Sequence, residues 1–166
     1  CALTGAGDEL NKYILGIGQR WGTWNEKIRP GEGAMIASLV RAENSATPLA
    51  RVTTVRLGRW RKPFDAEREV DWIASSVDLK NVAVILSGAG GWLELEEKYI
   101  AVAAALAARA GRPLEHQTYK QHCGEFHSAS AFGFSVAVEL ARAKKCGVLL
   151  YTLSPRGGKA LCCVQP

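Results

Sequence analysis

No apolar run in these 166 residues approaches the roughly 20 that a membrane-spanning helix needs. No charged-then-apolar leader with a cleavage site opens the sequence either, so the expected setting is the cytoplasm, with no membrane partner. The five cysteines, Cys1, Cys123, Cys146, Cys162 and Cys163, are odd in number and never stand at CxxC spacing. That argues against a disulfide framework and a structural zinc site, and for small buried thiols in a reducing compartment. Histidine is scarce as well. His116, His122 and His127, taken with Glu125, match no zinc signature, so neither a metal nor a cofactor is expected. Repeats and low-complexity tracts are absent. The first residue is Cys1 rather than Met, directly before the apolar ALTG, and the expectation is a trimmed, processed or partial chain.

What is present suits one globular domain: 48% apolar and 22% charged residues, in a chain long enough to bury roughly 70% of its unfolded surface. The net charge of +5 can steer acidic partners. The positive residues are scattered, however, and only Arg51 to Lys62, with RLGRWRK at its centre, forms a cluster. It reads as a solvated edge or turn, or as a contact for an acidic protein; nucleic acid is not expected.

Residues 2–10 read as a short strand ending in a glycine turn. Residues 11–29, with Gly16, Gly18, Gly22, Trp21 and Trp24, read as a loop-rich connection, and Met35 to Val40 as a buried strand. Past a turn at Ala46–Pro48, β-branched alternation in LARVTTVRL predicts another strand. Asp65 to Ser76 predicts a helix with Val70, Ile73 and Ala74 on one face. VAVIL at 82–86 is apolar throughout, as in a central strand covered on both faces. Glu94 to Ala110 is the clearest helix, acidic at its start, with Arg109 at its end and Gly111 stopping it. An extended piece near Thr118, a helix from Ser128 to Lys144, a strand from Gly147 to Thr152, a glycine turn and a strand from Lys159 to Val164 complete an α/β pattern.

In this order, ALTGAGDEL, RPGEGAMIASLVRAENS, ATPLARVTTV, SGAGGWLELEE, YKQHCGEFHSAS and SPRGGKALCCVQP resemble the successive motifs of the later half of a β-ketoacyl synthase of the thiolase superfamily. The resemblance covers nearly the whole chain. It implies a thiolase-like, mixed five-stranded sheet with helices on both faces, one half of an αβαβα sandwich. Residues 1–50 would end the N-terminal half and 51–166 would form the C-terminal one. The helix from Ser128 would be central and buried, with Ala129, Ala131, Gly133 and Ala137 as its small stripe.

Decarboxylating condensation needs a thiolate that carries the acyl chain and donors for the nascent enolate, two histidines in this family. The nucleophilic cysteine of the resembled proteins belongs to their first half. The first histidine falls at Ser87 and the second at Glu125, while Lys120 matches the family's lysine. Gly88 and Gly90 correspond to the glycine turn of the pocket; Arg156, Gly157 and Gly158 correspond to the gate, with Arg156 at the phenylalanine position. A carboxylate accepts hydrogen bonds and cannot donate one to an oxyanion. A relocated site from Cys123 and His127, four residues apart, would need the helix to begin early, with Lys120 and Glu125 tuning proton transfer.

The resemblance thus implies a non-catalytic, chain-length-factor-like subunit supporting acyl-chain condensation in polyketide or fatty-acid-type biosynthesis. Its partners would be a ketosynthase subunit, or its own N-terminal half, and an acyl carrier protein, and a dimer is expected. Two alternatives stay open: half of an active acyltransferase whose nucleophile lies on another chain, and a stand-alone interaction module.

Overall fold

A run such as VAVIL can be buried only if neighbouring strands take its backbone groups and helices cover both its faces. In the computed structural model, which describes residues 2–20, 27–45, 47–126 and 128–166, that is its setting. Strand β4 (Val82–Ser87) lies between two parallel neighbours, β5 (Glu115–Thr118) and β6 (Gly147–Leu153). Antiparallel β7 (Gly158–Gln165) follows β6, and antiparallel β3 (Arg51–Arg59) forms the far edge. The sheet order is β3-β7-β6-β4-β5, the expected mixed five-stranded sheet. Among the described residues no helix is long and apolar enough to cross a membrane.

One face carries α2 (Ala66–Ala74) and α3 (Leu93–Ala110), with Val70, Ile73, Tyr99, Val102 and Leu106 packed on Ile85, Leu149 and Leu161. Asp65 caps α2 by accepting from the Arg68 amide at 3.1 Å. Gly111 ends α3 in the left-handed region, φ 65°. The other face carries α5 (Ala129–Lys144), whose Ala129, Gly133, Ala137 and Ala141 are buried against the sheet. A Cβ on Gly133 would come within 2.7 Å of the Tyr119 ring, so this position admits only glycine.

Three expectations are corrected. The stretch after Asn11 is not a loop throughout: α1 spans Lys12–Arg20, because the Asn11 side chain accepts from the amides of Tyr13 and Ile14 at 3.0 and 3.1 Å and overrides the glycine signals. Met35 to Val40 does contain strand β2 (Gly33–Leu39), but it is not buried. Among the described residues it pairs only with β1 (Ala2–Asp8), in a two-stranded antiparallel ribbon, which leaves Ile36 and Leu39 exposed. Helix α5 is half-buried rather than enclosed: the sheet, the ribbon and the 120–123 helix lie against it, and Phe132, Phe134, Val136 and Val138 stay partly open. Cys1, Trp21, Gly22, Trp24, Ala46 and His127 lie outside the described residues.

Candidate functional site

In open α/β sheets ligands bind beyond the carboxyl ends of the parallel strands. Here β4 runs out into Gly88–Gly91, and β5 runs through Tyr119 into the short helix α4 (Lys120–Cys123). Segment 27–31 closes the third side. The Glu125 amide donates to the Arg29 carbonyl at 2.8 Å, and the Gly31 amide donates to the Glu125 carbonyl at 3.0 Å. Glycine is obligatory at this crossing, since a Cβ on Gly31 would sit 1.9 Å from the Cys123 carbonyl oxygen. Between these walls lies a cleft of about 750 Å³, lined among others by Arg29, Gly90, Lys120, His122, Cys123 and Glu125.

Within it Lys120 Nζ donates to Glu125 Oε2 at 2.6 Å, with the two side chains 12% and 19% exposed. The pair packs on Gly90, whose Cβ would come within 2.7 Å of Lys120 Cδ. The Gly91 amide donates to Glu96 Oε1 at 2.7 Å. Burial pushes the Cys123 thiol upward, Lys120 pulls against it and Glu125 adds to it. The thiol stays protonated near neutral pH and donates to the Gly124 carbonyl at 3.4 Å, which is not the environment of an activated nucleophile.

Ser87 is elsewhere. It is 1% exposed, is not among the cleft-lining residues, and its Oγ is 2.9 Å from His116 Nε2. Burial lowers the His116 pKa, so the neutral ring is the partner. Arg156, Gly157 and Gly158 form the β6–β7 turn: the Gly157 amide donates to Ser154 O at 3.0 Å and its carbonyl accepts from the Trp60 amide at 2.9 Å. Arg156 is exposed and also stands apart from the cleft lining. Cys123 does not share a continuous helix with residue 127, because α4 stops at Gly124, φ 77°; His127 itself is outside the described residues. Among the described residues no three His, Cys, Asp or Glu side chains gather as a metal site would require.

The structure therefore joins Lys120, Glu125, Gly90 and Cys123 and separates them from Ser87 and the 156–158 turn. Sequence reasoning missed the Arg29 wall, the Ser87–His116 contact and Tyr119. Only the strand register, with Ile85 opposite His116 and Ser87 opposite Thr118, brings the second of these together.

No protein-family model matches the chain, and no curated protein does. Solved structures do. A type II polyketide synthase acyl-carrier protein in complex with its ketosynthase aligns at TM-score 0.74 and 14% identity, over 98% of this chain and 50% of the other. A β-ketoacyl synthase from Burkholderia phymatum gives 0.72 and 12%, over 98% and 54%. The ishigamide ketosynthase/chain length factor gives 0.64 and 19%, over 98% and 48%. The chain spans about half the length of these structures. At such identities the likeness is one of fold, and this chain has the thiolase-like fold of β-ketoacyl synthases over about half their length.

Proposed function

We propose that the chain is the C-terminal half of a non-catalytic, ketosynthase-like subunit of the chain-length-factor kind. It helps to shape an acyl-binding cleft for condensation on an acyl carrier protein, in polyketide or fatty-acid-type synthesis. The observation that carries this reading is the Lys120–Glu125 ion pair. On the resemblance, Glu125 stands where a condensing enzyme needs an imidazole donor and Lys120 matches the family's lysine; a carboxylate there repels a developing enolate. Ser87, at the other donor position, spends its hydroxyl on His116. Cys123 is held as a thiol.

The complementary half comes from a ketosynthase subunit or from the chain's own N-terminal half. On this reading residues 1–50, which include the β1–β2 ribbon, end the N-terminal half, and residues 51–166, which include the five-stranded sheet, form the C-terminal one. Ketosynthase–carrier and ketosynthase/chain-length-factor structures among the fold's neighbours support the same reading, as does a net charge of +5, which suits an acidic carrier.

The test supplies the purified chain with malonyl-loaded carrier protein and measures carbon dioxide release and carrier binding. Binding without decarboxylation is expected. Turnover by the chain alone would overturn the proposal.

A further inference from the structure

The basic motif RLGRWRK, which the cleft does not use, lies on an open edge of the sheet. Strand β3 is paired on one side only, with β7. The Trp60 amide donates to the Gly157 carbonyl at 2.9 Å, whereas the next residue, Gly158, accepts from the Ser154 amide on the β6 side at 2.8 Å. Backbone groups alternate in direction along an antiparallel pair. Trp60, Gly58 and Arg56 therefore face β7, and Arg59, Leu57 and Val55 turn their N–H and C=O groups away from it. Among the described residues no hydrogen bond reaches those outward groups.

A run of open ladder groups is a template for a further strand, and an edge that needs only blunting carries a bulge, a proline or a charge within the run. Here the register shift of β3 falls between Val52 and Thr54, ahead of the open stretch. The side chains within that stretch are Val55 and Leu57, 66% and 77% exposed. Charge stands at the ends instead. Arg51 precedes the stretch, Arg59 closes it and Arg61 follows, joined by Arg156, whose carbonyl accepts from the Arg59 guanidinium at 3.3 Å. No acidic residue occurs from Arg51 to Phe64. Among the described residues none of these four arginines is paired with a carboxylate.

We propose that the β3 edge takes an extended acidic segment of a partner polypeptide as an added strand. Main-chain bonds to Val55, Leu57 and Arg59 would give the strength, and Arg59, Arg61 and Arg156 would select acidic side chains. Val55 and Leu57 take β-branched residues opposite them. A second copy of β3 is the poorer occupant, because edge-to-edge pairing would set two acid-free arginine strips side by side. The interaction needs no acyl chemistry and stands apart from the function proposed above.

The probe is an acetylated and amidated octapeptide, Asp-Glu-Glu-Thr-Val-Glu-Val-Thr, whose valines meet Leu57 and Val55 in antiparallel register. Titrated against the whole chain, it is expected to bind and to slow amide exchange at Val55, Leu57 and Arg59 by about tenfold or more. Arg56 and Gly58, already turned to β7, should not change. N-methylation of the two valines, whose amides would face β3, should weaken binding about tenfold, the scale of the bonds removed. Lysine in place of every acid should abolish it. Leu57→Pro removes an amide that bonds nothing within the chain, so the variant should keep its fold and lose the peptide. Should it unfold, the N-methylated peptide decides the question with the protein untouched. An acidic peptide that did not bind, or that bound equally well when methylated, would overturn the proposal. So would binding by the lysine peptide, or binding that left the three amides unprotected. Amides protected in the free chain and released on dilution would make a second copy the occupant instead. None of these outcomes bears on the acyl cleft.

Discussion

Glu125 and Lys120 keep enough contact with water, at 19% and 12% exposure, that their pair is neither a surface salt bridge nor a fully desolvated one. Glu125→Gln would leave the ammonium in the cleft without its counter-charge. We expect a loss of about 1–2 kcal/mol, read as a lower urea midpoint at unchanged slope. The enclosed pair of Glu69 and Lys159 behaves differently. Lys159 Nζ donates to Glu69 Oε1 and Oε2 at 2.9 and 2.7 Å, and the Tyr151 hydroxyl donates to Oε2 at 3.0 Å, all of them buried. Lys159→Met strands a carboxylate in the core, and chemical denaturation should register a loss of about 3–5 kcal/mol. His116 gives a pH signature of definite sign. Its folded pKa is depressed below 6.5 by burial, so the unfolded chain binds the proton more readily. Its contribution to stability is present above the unfolded pKa and is lost as pH falls from about 6.5 toward the lower folded value. Between pH 7.5 and 5.5 the wild type should lose more stability than His116→Gln does, and equal slopes would remove the histidine from the account.

Helices and strands differ in how much of them local pattern can reveal. Helix α3 was legible because its boundary chemistry is local: Glu94 and Glu96 near the first turn, Arg109 near the last and Gly111 beyond. Strand β4 was legible because a five-residue apolar run bounded by glycine has few other homes. Helix α1 was hidden because Gly16 and Gly18 mimic loop chemistry, while its apolar residues Tyr13, Ile14 and Ile17 remain exposed. The cleft was half legible. Lys120, Cys123 and Glu125 are adjacent in sequence, whereas Arg29 arrives through backbone pairing with Glu125, and Tyr119 meets Gly88 and Gly133 only in the folded chain. Helix α5 shows the same dependence. Its first turn is capped from a strand 120 residues away: the Ser128 amide and hydroxyl donate to Asp8 Oδ2 at 2.5 and 2.6 Å. Asp8→Ala should cost about 1–2 kcal/mol, the range of a lost N-cap. It should speed amide exchange in the first turn of α5 while the β4–β6 core keeps its protection. Uniform acceleration across the sheet would mean that Asp8 does more than cap.

At the scale of the molecule, the β3 edge of the sheet is left open on the side of α5. Along β3, Arg56 turns toward α2, where its guanidinium donates to the Trp72 carbonyl and to Ser75 Oγ at 2.6 Å each. Val55 and Leu57 point the other way, to the side of α5, and Leu57 is 77% exposed. The register of the ribbon places Leu3 and Ile36 on one common face, also exposed. Together with the half-open Phe132, Phe134, Val136 and Val138 of α5, these residues give the chain more uncovered apolar surface than scattered single side chains would. On the function proposed above, these exposed residues would pack against a second sheet-and-helix half. Without that half we expect them to drive association of the chain with itself. Val55→Lys with Leu57→Lys adds charge where no internal contact is lost, so the folded state should keep its melting temperature to within about 2 °C. Sedimentation over a tenfold concentration range should show the wild type associating and the double variant shifted toward monomer. If the variant associates as strongly as the wild type, β3 is not part of the sticking surface, and the second half must seat on the ribbon and α5 alone.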